Sequence, residues 1–498
     1  MSEPISPEER PDDRALGAQE RLHPFFLLTG LGASLRGLAG GYAVVGYLAV
    51  SGRLSTAIIG AIGLFVFMAI GILLYWLRFE YCVGASEIRI DSGIISRTHR
   101  SIPFERIQDV DITQGPLARL LGLAAVKFET GGSAGEEEGV LQAITLERAE
   151  EIRALVRSRR SLQAPAAHAA EEERPPVYLM NLRRVLLAGT FNFSLAVFAG
   201  LIGITQAYGD VVGFDPLSRR FWSGVLSPES PLAAFVLQHR VAAAVAGALL
   251  LVLLGLLTGV TRTLLRDYGF RLDRTEVGLR RRRGLLTRTD VTLPARRAQA
   301  VILRSGPARD AFGWNEVALQ SLARDEQGSG DHVLAPLATA EEANSVIGEL
   351  GWRSLPAEIR WTRVSRAFVW SFLAGVLPLL LPLGIAQVQF APALGLLWVA
   401  VPLVLAGLRY VEWRRTGYAL DGDRLLMRSG WWRRRLVILP LSKIQSIDLA
   451  ENFVGRWFEI ATLRFGVAGG SGFAAHIIPA IPREAARQLR RELLSSSA

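Results

Sequence analysis

The fold class the sequence predicts is an α+β membrane protein, with six transmembrane helices in three hairpins and a small domain of bent antiparallel β-sheet and C-terminal helix after each hairpin. Three observations predict it. Six apolar stretches have the length of a bilayer span. Arginine gathers on one side of those spans. The three polar segments that follow the hairpins share one spacing of residues.

A hydrocarbon core takes about 20 mostly apolar helical residues to cross. Six stretches qualify: Phe25–Val50, Ala57–Leu77, Val185–Gln206, Leu232–Val260, Phe368–Val388 and Phe390–Leu408. The second carries no charge, while Arg36 lies inside the first. That helix therefore starts after Arg36 or lets it snorkel. Pro378, Pro382, Pro392 and Pro402 predict kinks in the last two.

Arginine sets the orientation. Loops within the helix pairs hold Arg53, Arg219 and Arg220, whereas the opposite flanks hold Arg21, Arg78, Arg183, Arg184, Arg262, Arg266, Arg363, Arg366, Arg409, Arg414 and Arg415. The positive-inside rule places both termini and all three polar segments in the cytosol, so the chain reads as a multi-pass protein of the cell (inner) membrane. Trp76, Trp361, Trp370 and Trp413 stand near those boundaries as interfacial aromatics do. Of the 56 basic residues only Lys127 and Lys443 are lysine, a skew that fits a GC-rich genome as well as phosphate recognition. The N-terminal 20 residues mix acids, prolines and arginines without an apolar core, which reads as a tail and not a cleaved signal.

The repeat aligns on Pro103, Pro294 and Pro440. Ten residues upstream of each stands a glycine: Gly93, Gly284 and Gly430. Downstream come Arg106 and Gln108, Arg297 and Gln299, and Lys443 and Gln445. Further on, Val126, Val317 and Leu463 correspond, as do Phe128, Leu319 and Phe465. Each copy reads as strands around a turn at its glycine, then a glycine-rich loop, then a helix. The helix starts with the capping box Thr339–Glu342 in copy two and with Pro482 in copy three. Ile107, Asp109 and Asp111 alternate with Val110 and Ile112 as on a half-buried strand.

Ser101-Ile-Pro103-Phe-Glu-Arg-Ile-Gln-Asp-Val110, followed by Gln114-Gly-Pro-Leu-Ala-Arg-Leu-Leu-Gly122, resembles the bacterial PH-like domain family, also called the membrane-flanked domain. Three copies separated by helix pairs look like the YdbT-type members of that family, and Arg21-Leu-His-Pro24 is similar too. Copy two departs from the pattern: Ala298 replaces isoleucine, and Gly284 follows Glu276 two residues later than the other copies predict, which puts its strand register in question. The resemblance implies a strongly bent antiparallel sheet capped by a helix, and no enzymatic activity. The expected divisions are a disordered cytosolic tail at 1–24, helix pairs at 25–77, 185–261 and 368–409, PH-like domains at 78–160, 262–352 and 410–498, and linkers at 161–184 and 353–367.

Chemistry is sparse. The single cysteine, Cys82, and six scattered histidines offer no metal-ligand spacing, and no phosphate-binding glycine loop or nucleophile elbow occurs. No cofactor is expected, and no catalytic residue. Asp109 and Asp111 share a strand face, which reads as solvated. Basic clusters are more informative. Arg281, Arg282 and Arg283 precede Gly284; Arg433, Arg434 and Arg435 follow Trp431 and Trp432. These eight residues are candidate contacts to anionic lipid, since arginine pairs with phosphate bidentately and a polybasic patch gains about 1 kcal/mol per residue at an anionic leaflet. The alternative is that they only enforce topology or solubilise strands. The signature Arg106/Gln108, Arg297/Gln299 and Lys443/Gln445 places a cation and an amide on one strand face, for a structural role or for ligand contact.

The sequence thus points to a non-enzymatic membrane-anchored adaptor or scaffold whose domains bind anionic membrane lipids, each other or a protein partner, with homo-oligomers among the options. Interrupted basic patches tethered to a bilayer argue against nucleic acid. The rival is a transporter or channel formed by the six helices, with Arg36, Asn192, Gln206, His239 and Arg240 as its polar handles.

Overall fold

The structure, a computed structural model, describes residues 19–30, 54–84, 86–93, 97–130, 139–161, 175–193, 223, 235–236, 238–276, 278–321, 331–390, 392–468 and 476–496. It forms two compact units: Met1–Glu172, Met180–Phe270 and Arg282–Thr292 make the first, and Glu173–Leu179, Arg271–Arg281 and Leu293–Ala498 the second.

Each copy folds by the same plan. Copy one runs β1 (Glu20–Arg21), α1 (Leu54–Arg78), β2 (Glu80–Val83), β3 (Glu87–Ser92), β4 (Thr98–Pro103), β5 (Ile107–Gln114), α2 (Pro116–Leu120), β6 (Leu123–Thr130), β7 (Val140–Thr145) and α3 (Leu146–Ser161). Copy two runs β8 (Tyr178–Leu179), α4 (Leu182–Phe191), α5 (Arg240–Asp267), β9 (Arg271–Thr275), β10 (Gly278–Arg283), β11 (Arg288–Pro294), β12 (Ala298–Ser305), α6 (Pro307–Ala311), β13 (Asn315–Ser321), β14 (Asp331–Ala338) and α7 (Ala340–Glu349). Copy three runs β15 (Thr362–Arg363), α8 (Ala367–Phe390), α9 (Pro392–Arg415), β16 (Gly417–Asp421), β17 (Arg424–Ser429), β18 (Arg434–Pro440), β19 (Ile444–Ala450), α10 (Phe453–Trp457), β20 (Ile460–Val467), β21 (His476–Pro482) and α11 (Arg483–Ser496).

Three helices among the described residues are long and apolar enough to cross a membrane: Ser55–Arg78, Arg240–Asp267 and Ala367–Gln387. They match the second, fourth and fifth expected spans, although the fourth runs on to Asp267 instead of stopping at Val260. Three spans are therefore described, not six. The sixth expectation corresponds to α9, whose last turns carry Arg409, Glu412, Arg414 and Arg415. Positions 31–50 of the first span and 194–206 of the third lie outside the described residues. Helices α4 and α5 pack closely because Gly189 and Gly259 carry no side chain: a Cβ at Gly189 would strike Val260, and one at Gly259 the Asn192 carbonyl. Asn192 donates from Nδ2 to Thr263 Oγ1 at 2.9 Å across that contact.

The short strands ahead of each helix pair return to the domain that follows it. β1 pairs with β2, β8 with β9 and β15 with β16. Trp76 Nε1 donates to Leu22 O and Trp413 Nε1 to Val364 O, both at 2.9 Å, so each indole ties down the incoming chain. Residues 20–22 thus belong to a domain and not to a disordered tail, and Trp413 is buried, not interfacial. Two-residue strands have no periodicity to betray them. In copy two the matching position is Asp267, whose carboxylate accepts from Arg283 Nη1 at 3.4 Å.

The glycine turns follow from backbone geometry. Gly93, Gly284 and Gly430 have φ of 107°, 113° and 80°, values that L side chains rarely adopt. The repeated glutamine marks a β-bulge in every copy, because the register of β5, β12 and β19 shifts between Ile107 and Asp109, Ala298 and Ala300, and Ile444 and Ser446. The extra residue brings Ile107 onto the core face with Val110 and Ile112, where simple alternation would have separated them. Copy two keeps the common register after all: β10 has six residues, as β3 and β17 do, and Gly278 takes the place of Glu87 and Arg424. Helices close the copies with apolar residues at helical spacing: Ala149, Ile152 and Val156 on α3, and Ala486, Leu489 and Leu493 on α11.

The copies are joined by strand pairing. In the first unit β5 pairs antiparallel with β11, Ile112 opposite Asp290 and Gln114 opposite Arg288. In the second unit β12 pairs with β18, Leu303 opposite Leu436 and Ser305 opposite Arg434. Counted from the repeat prolines, these two registers are identical. The second unit thereby holds one seven-stranded sheet in the order β14-β13-β12-β18-β17-β16-β15. Its apolar core takes Ala300, Ile302 and Ala318 from copy two together with Leu425, Val437, Leu463 and Phe465 from copy three.

Candidate functional site

A cleft of about 460 Å³ opens in the second unit along β12, β18 and β17, neighbours in that order in the sheet. The bulk of its wall is apolar: Leu303, Leu355, Pro356, Ala340, Trp361 and Leu436. Four arginines reach it, Arg415 from the end of α9, Arg428 from β17, and Arg434 and Arg435 from β18, against one carboxylate, Asp310. Gly430 makes the tight β17–β18 turn that brings Arg428 and Arg434 to the same rim, since a Cβ there would run into the Arg433 carbonyl.

Charge in the cleft is unevenly matched. Arg434 forms an ion pair with Asp310. The Arg428 guanidinium lies over the Trp361 ring, 4.4 Å from its centroid, a cation–π contact that brings no negative charge. Arg428 Nε and Arg435 Nε are buried without a hydrogen-bond acceptor among the described residues. Burial, with Arg363 and Arg415 adding to it, pulls Arg428 below the usual guanidinium range. Burial does the same to Arg435, Asp331 opposing and Arg304 reinforcing. The lining therefore carries a net charge of +3. A phosphate or carboxylate entering it would supply the missing acceptors and relieve the repulsion among the arginines.

The sequence-derived residues scatter around this feature. Arg434 and Arg435 line the cleft; Arg433 and Trp432 are exposed at the turn, Trp432 at 63%, and Trp431 is half-buried. The Trp431 and Trp432 rings meet edge-on at 5.6 Å. The copy-two cluster is a correction. Arg281 is 0% exposed and Arg283 4%, so neither faces a membrane; only Arg282 of the three is partly exposed. Arg281 Nη1 donates to Val333 O at 3.2 Å, and Arg283 turns inward because Asp267 stands where the other copies have tryptophan. The run of arginines alternates across a strand that is covered on one face.

The repeat signature does not converge on a site. Pro294 and Pro440 each lead into a 3-10 turn, Ala295–Arg297 and Leu441–Lys443, so Arg297 and Lys443 lie on turns and not on a strand face with their glutamines. Pro103 opens the equivalent turn, Arg106 N bonding to its carbonyl at 2.9 Å, and Arg106 is exposed. Gln299 Nε2 donates to Arg297 O at 3.1 Å, Lys443 Nζ to Arg296 O at 3.4 Å, and Gln445 is exposed. The backbone of Gln108 sits at its bulge. Sequence reasoning missed Arg415, Arg428 and Trp361 as site residues. The sequence reads Arg415 as a topological marker and Trp361 as an interfacial aromatic, and singles out no role for Arg428. Their one common signal is position beside the third helix pair and the Gly430 turn. Among the described residues no group of three His, Cys, Asp or Glu could hold a metal ion. Of the polar handles for transport, Asn192 is bonded to Thr263, and His239 and Arg240 stand exposed at the start of α5; Arg36 and Gln206 lie outside the described residues.

The model of the bacterial PH domain matches residues 26–160, 231–351 and 372–497. The chain is 24% identical over 429 residues to the UPF0699 transmembrane protein YdbT of Bacillus subtilis (strain 168), an alignment covering 80% of this chain and 82% of that protein. It is 36% identical over 74 residues to the UPF0699 transmembrane protein YdbS of the same organism, covering 15% of this chain and 44% of that protein. No solved structure matches.

Proposed function

Because the chain belongs to the bacterial PH domain family, we propose that it is a non-enzymatic scaffold of the cell membrane that holds an anionic phospholipid headgroup in the cleft of its second unit. Six helices in three hairpins anchor it, and its three PH-like domains lie on the cytosolic side. One observation carries the lipid reading: a cleft of net charge +3 opens beside Arg415, the last residue of a helix of spanning length, and Arg428 and Arg435 have buried nitrogens without acceptors. A phosphate at that depth, with acyl chains toward the bilayer, fits both the arginines and the apolar wall.

The test uses the full-length protein, reconstituted in nanodiscs of neutral lipid with a minor anionic phospholipid, then stripped with detergent. Wild-type protein should retain the anionic lipid well above its share of the bilayer. Each arginine–phosphate contact is worth roughly 1.5–3 kcal/mol, so Arg428→Gln with Arg435→Gln should lower retention by at least about 100-fold. Retention equal to that of neutral lipid, or unchanged in the double variant, would reject the reading.

A further inference from the structure

Two of the strands that end a sheet stand apart from their counterparts: β4 is the last strand of the order β1-β2-β3-β4, and β19 the first of β19-β20-β21. Their counterparts in the other copies are not edges. The strand in the position of β4 is β11 in copy two and β18 in copy three, and each is paired with the preceding copy. The strand in the position of β19 is β5 in copy one and β12 in copy two, each paired with the following copy. Burial follows this division. β12 is buried from Ala298 to Leu303, whereas Gln445, Ser446 and Asp448 of β19 are exposed. Likewise β11 is buried from Val291 to Pro294, whereas Thr98, His99 and Ser101 of β4 are exposed.

We propose that β19 of one chain pairs antiparallel with β4 of a second copy of this chain, in the register that joins the copies within it, so that molecules assemble head to tail. The register is fully specified by the two pairings already made. It sets Leu449 opposite His99, Ala450 opposite Thr98 and Ile447 opposite Ser101. It also sets Asp448 opposite Arg100 and Glu451 opposite Arg97. The charged pair within the two strands, Asp448 with Arg100, and the pair just beyond their ends, Glu451 with Arg97, thus both bring opposite charges together, the arrangement that stabilises directly facing strand residues. Asp448 and Arg100 form no ion pair with any described residue of their own chain, and Arg97 is exposed. Glu451 already accepts from Arg483 at 3.1 Å and would be shared.

A side chain also stands ready to cross the new junction. In the first unit Arg153 of α3 reaches across the β5–β11 pairing: Nε and Nη2 donate to Val110 O at 3.0 and 2.9 Å, and Nη1 to Asp290 Oδ2 at 2.7 Å. Counted from the repeat proline, the copy-three residue at that position is Arg490 of α11, which is exposed. Opposite Asp290's place on β4 is His99, whose Nδ1 lies 2.7 Å from Asp91 Oδ1, so a carboxylate is again within the same neighbourhood. An interface of this kind is heterologous, each molecule offering a different edge, and it does not saturate at a dimer. The inference names a partner for the scaffold reading but does not use the lipid cleft, and the two fail separately.

Two differently tagged full-length chains are coexpressed in membranes, one carrying Arg100→Cys and the other Asp448→Cys, and the membranes are oxidised. Directly facing residues lie within disulfide reach, so a product of twice the chain mass bearing both tags is expected. Either variant expressed alone should give none, since Cys82 is buried. Moving the second cysteine to Glu459, away from β19, should abolish the product. A charge test runs beside it: Arg100→Glu should reduce co-purification of the two tags at least several-fold, and Asp448→Arg in the partner should restore it. Absence of the mixed product, cross-linking regardless of cysteine position, or loss without rescue would each overturn the proposal. The exposed charges would then serve to keep both edges unpaired.

Discussion

Removing Arg153 should uncouple copy one from copy two. Its guanidinium is nearly buried, at 9% side-chain exposure, and makes hydrogen bonds to Val110 O, to the Asp290 carboxylate and, at 3.1 Å, to Asp290 O. In Arg153→Ala the Asp290 carboxylate, at 16% exposure, stays enclosed and loses the Arg153 guanidinium. Truncating one member of a buried pair costs about 3–5 kcal/mol, because the remaining charge is stranded. Asp290→Ala should cost a similar amount. The double variant strands neither charge and should cost clearly less than the two single losses combined, with a coupling of about 1–3 kcal/mol. The readout is hydrogen exchange of β5 and β11 in full-length protein in nanodiscs, where the local opening free energy is measured directly. A loss below about 1 kcal/mol in Arg153→Ala, or additive single losses, would show that the strand pairing stands without this lock.

Two further outcomes follow from side chains in the second unit. His476 Nε2 and Gln320 Oε1 are 2.6 Å apart in a buried site, and burial, with Arg435 adding, pushes the imidazole down to about 4. The neutral form is the native one, so its contribution is complete above the ordinary histidine value of about 6.5 and is lost as pH falls toward about 4. Roughly 3 kcal/mol of opening free energy in β13, β20 and β21 should disappear over that interval; His476→Gln should flatten the curve, and an unchanged slope in that variant would exclude the histidine as its cause. Gly430→Ala places a Cβ against the Arg433 carbonyl at a φ of 80° and should destabilise the second unit by about 1–3 kcal/mol. Gly348→Ala, which meets open space on α7, should be neutral or stabilising in the same thermal melt; equal effects would remove the turn argument.

The elements of each copy were legible because they rest on local physics. Turn glycines and the Thr339 capping box act within a few residues, and the box is present with both of its hydrogen bonds, whereas the alternation read over Ile107–Ile112 is broken by the bulge, which leaves Asp111 buried and not solvated. What lies beside a strand edge does not act locally. The backbone edge of β5 offers the same N–H and C=O groups whether water or β11 meets them, so the β5–β11 and β12–β18 pairings left little trace. The run Ala298–Leu303 was the exception: apolar at nearly every position, it is the composition of a strand covered on both faces. The Arg281–Arg283 cluster misled for a related reason. Four successive arginines look solvated, but a strand sends alternate residues to opposite faces, and Asp267 gives the inner face a charge to meet. Of the clustered arginines only Arg434 and Arg435 reached the cleft; Arg428 joins them across the Gly430 turn, while Arg415 and Trp361 come from farther back in the chain.

Strand exchange between copies also imposes an order in time. Ile112 finds its partner in Asp290, 178 residues later, and Val301 finds Ile438 after another 137. A ribosome adding about 5–20 residues per second leaves β5 waiting roughly 10–35 s, while α4 and α5 have still to be made. During that interval the nascent protein displays an open sheet edge, the geometry most prone to pairing with the wrong chain. Each new domain therefore completes its predecessor as it emerges, and a ribosome that stalls between copies releases a product whose last sheet still lacks the four strands that the next copy adds.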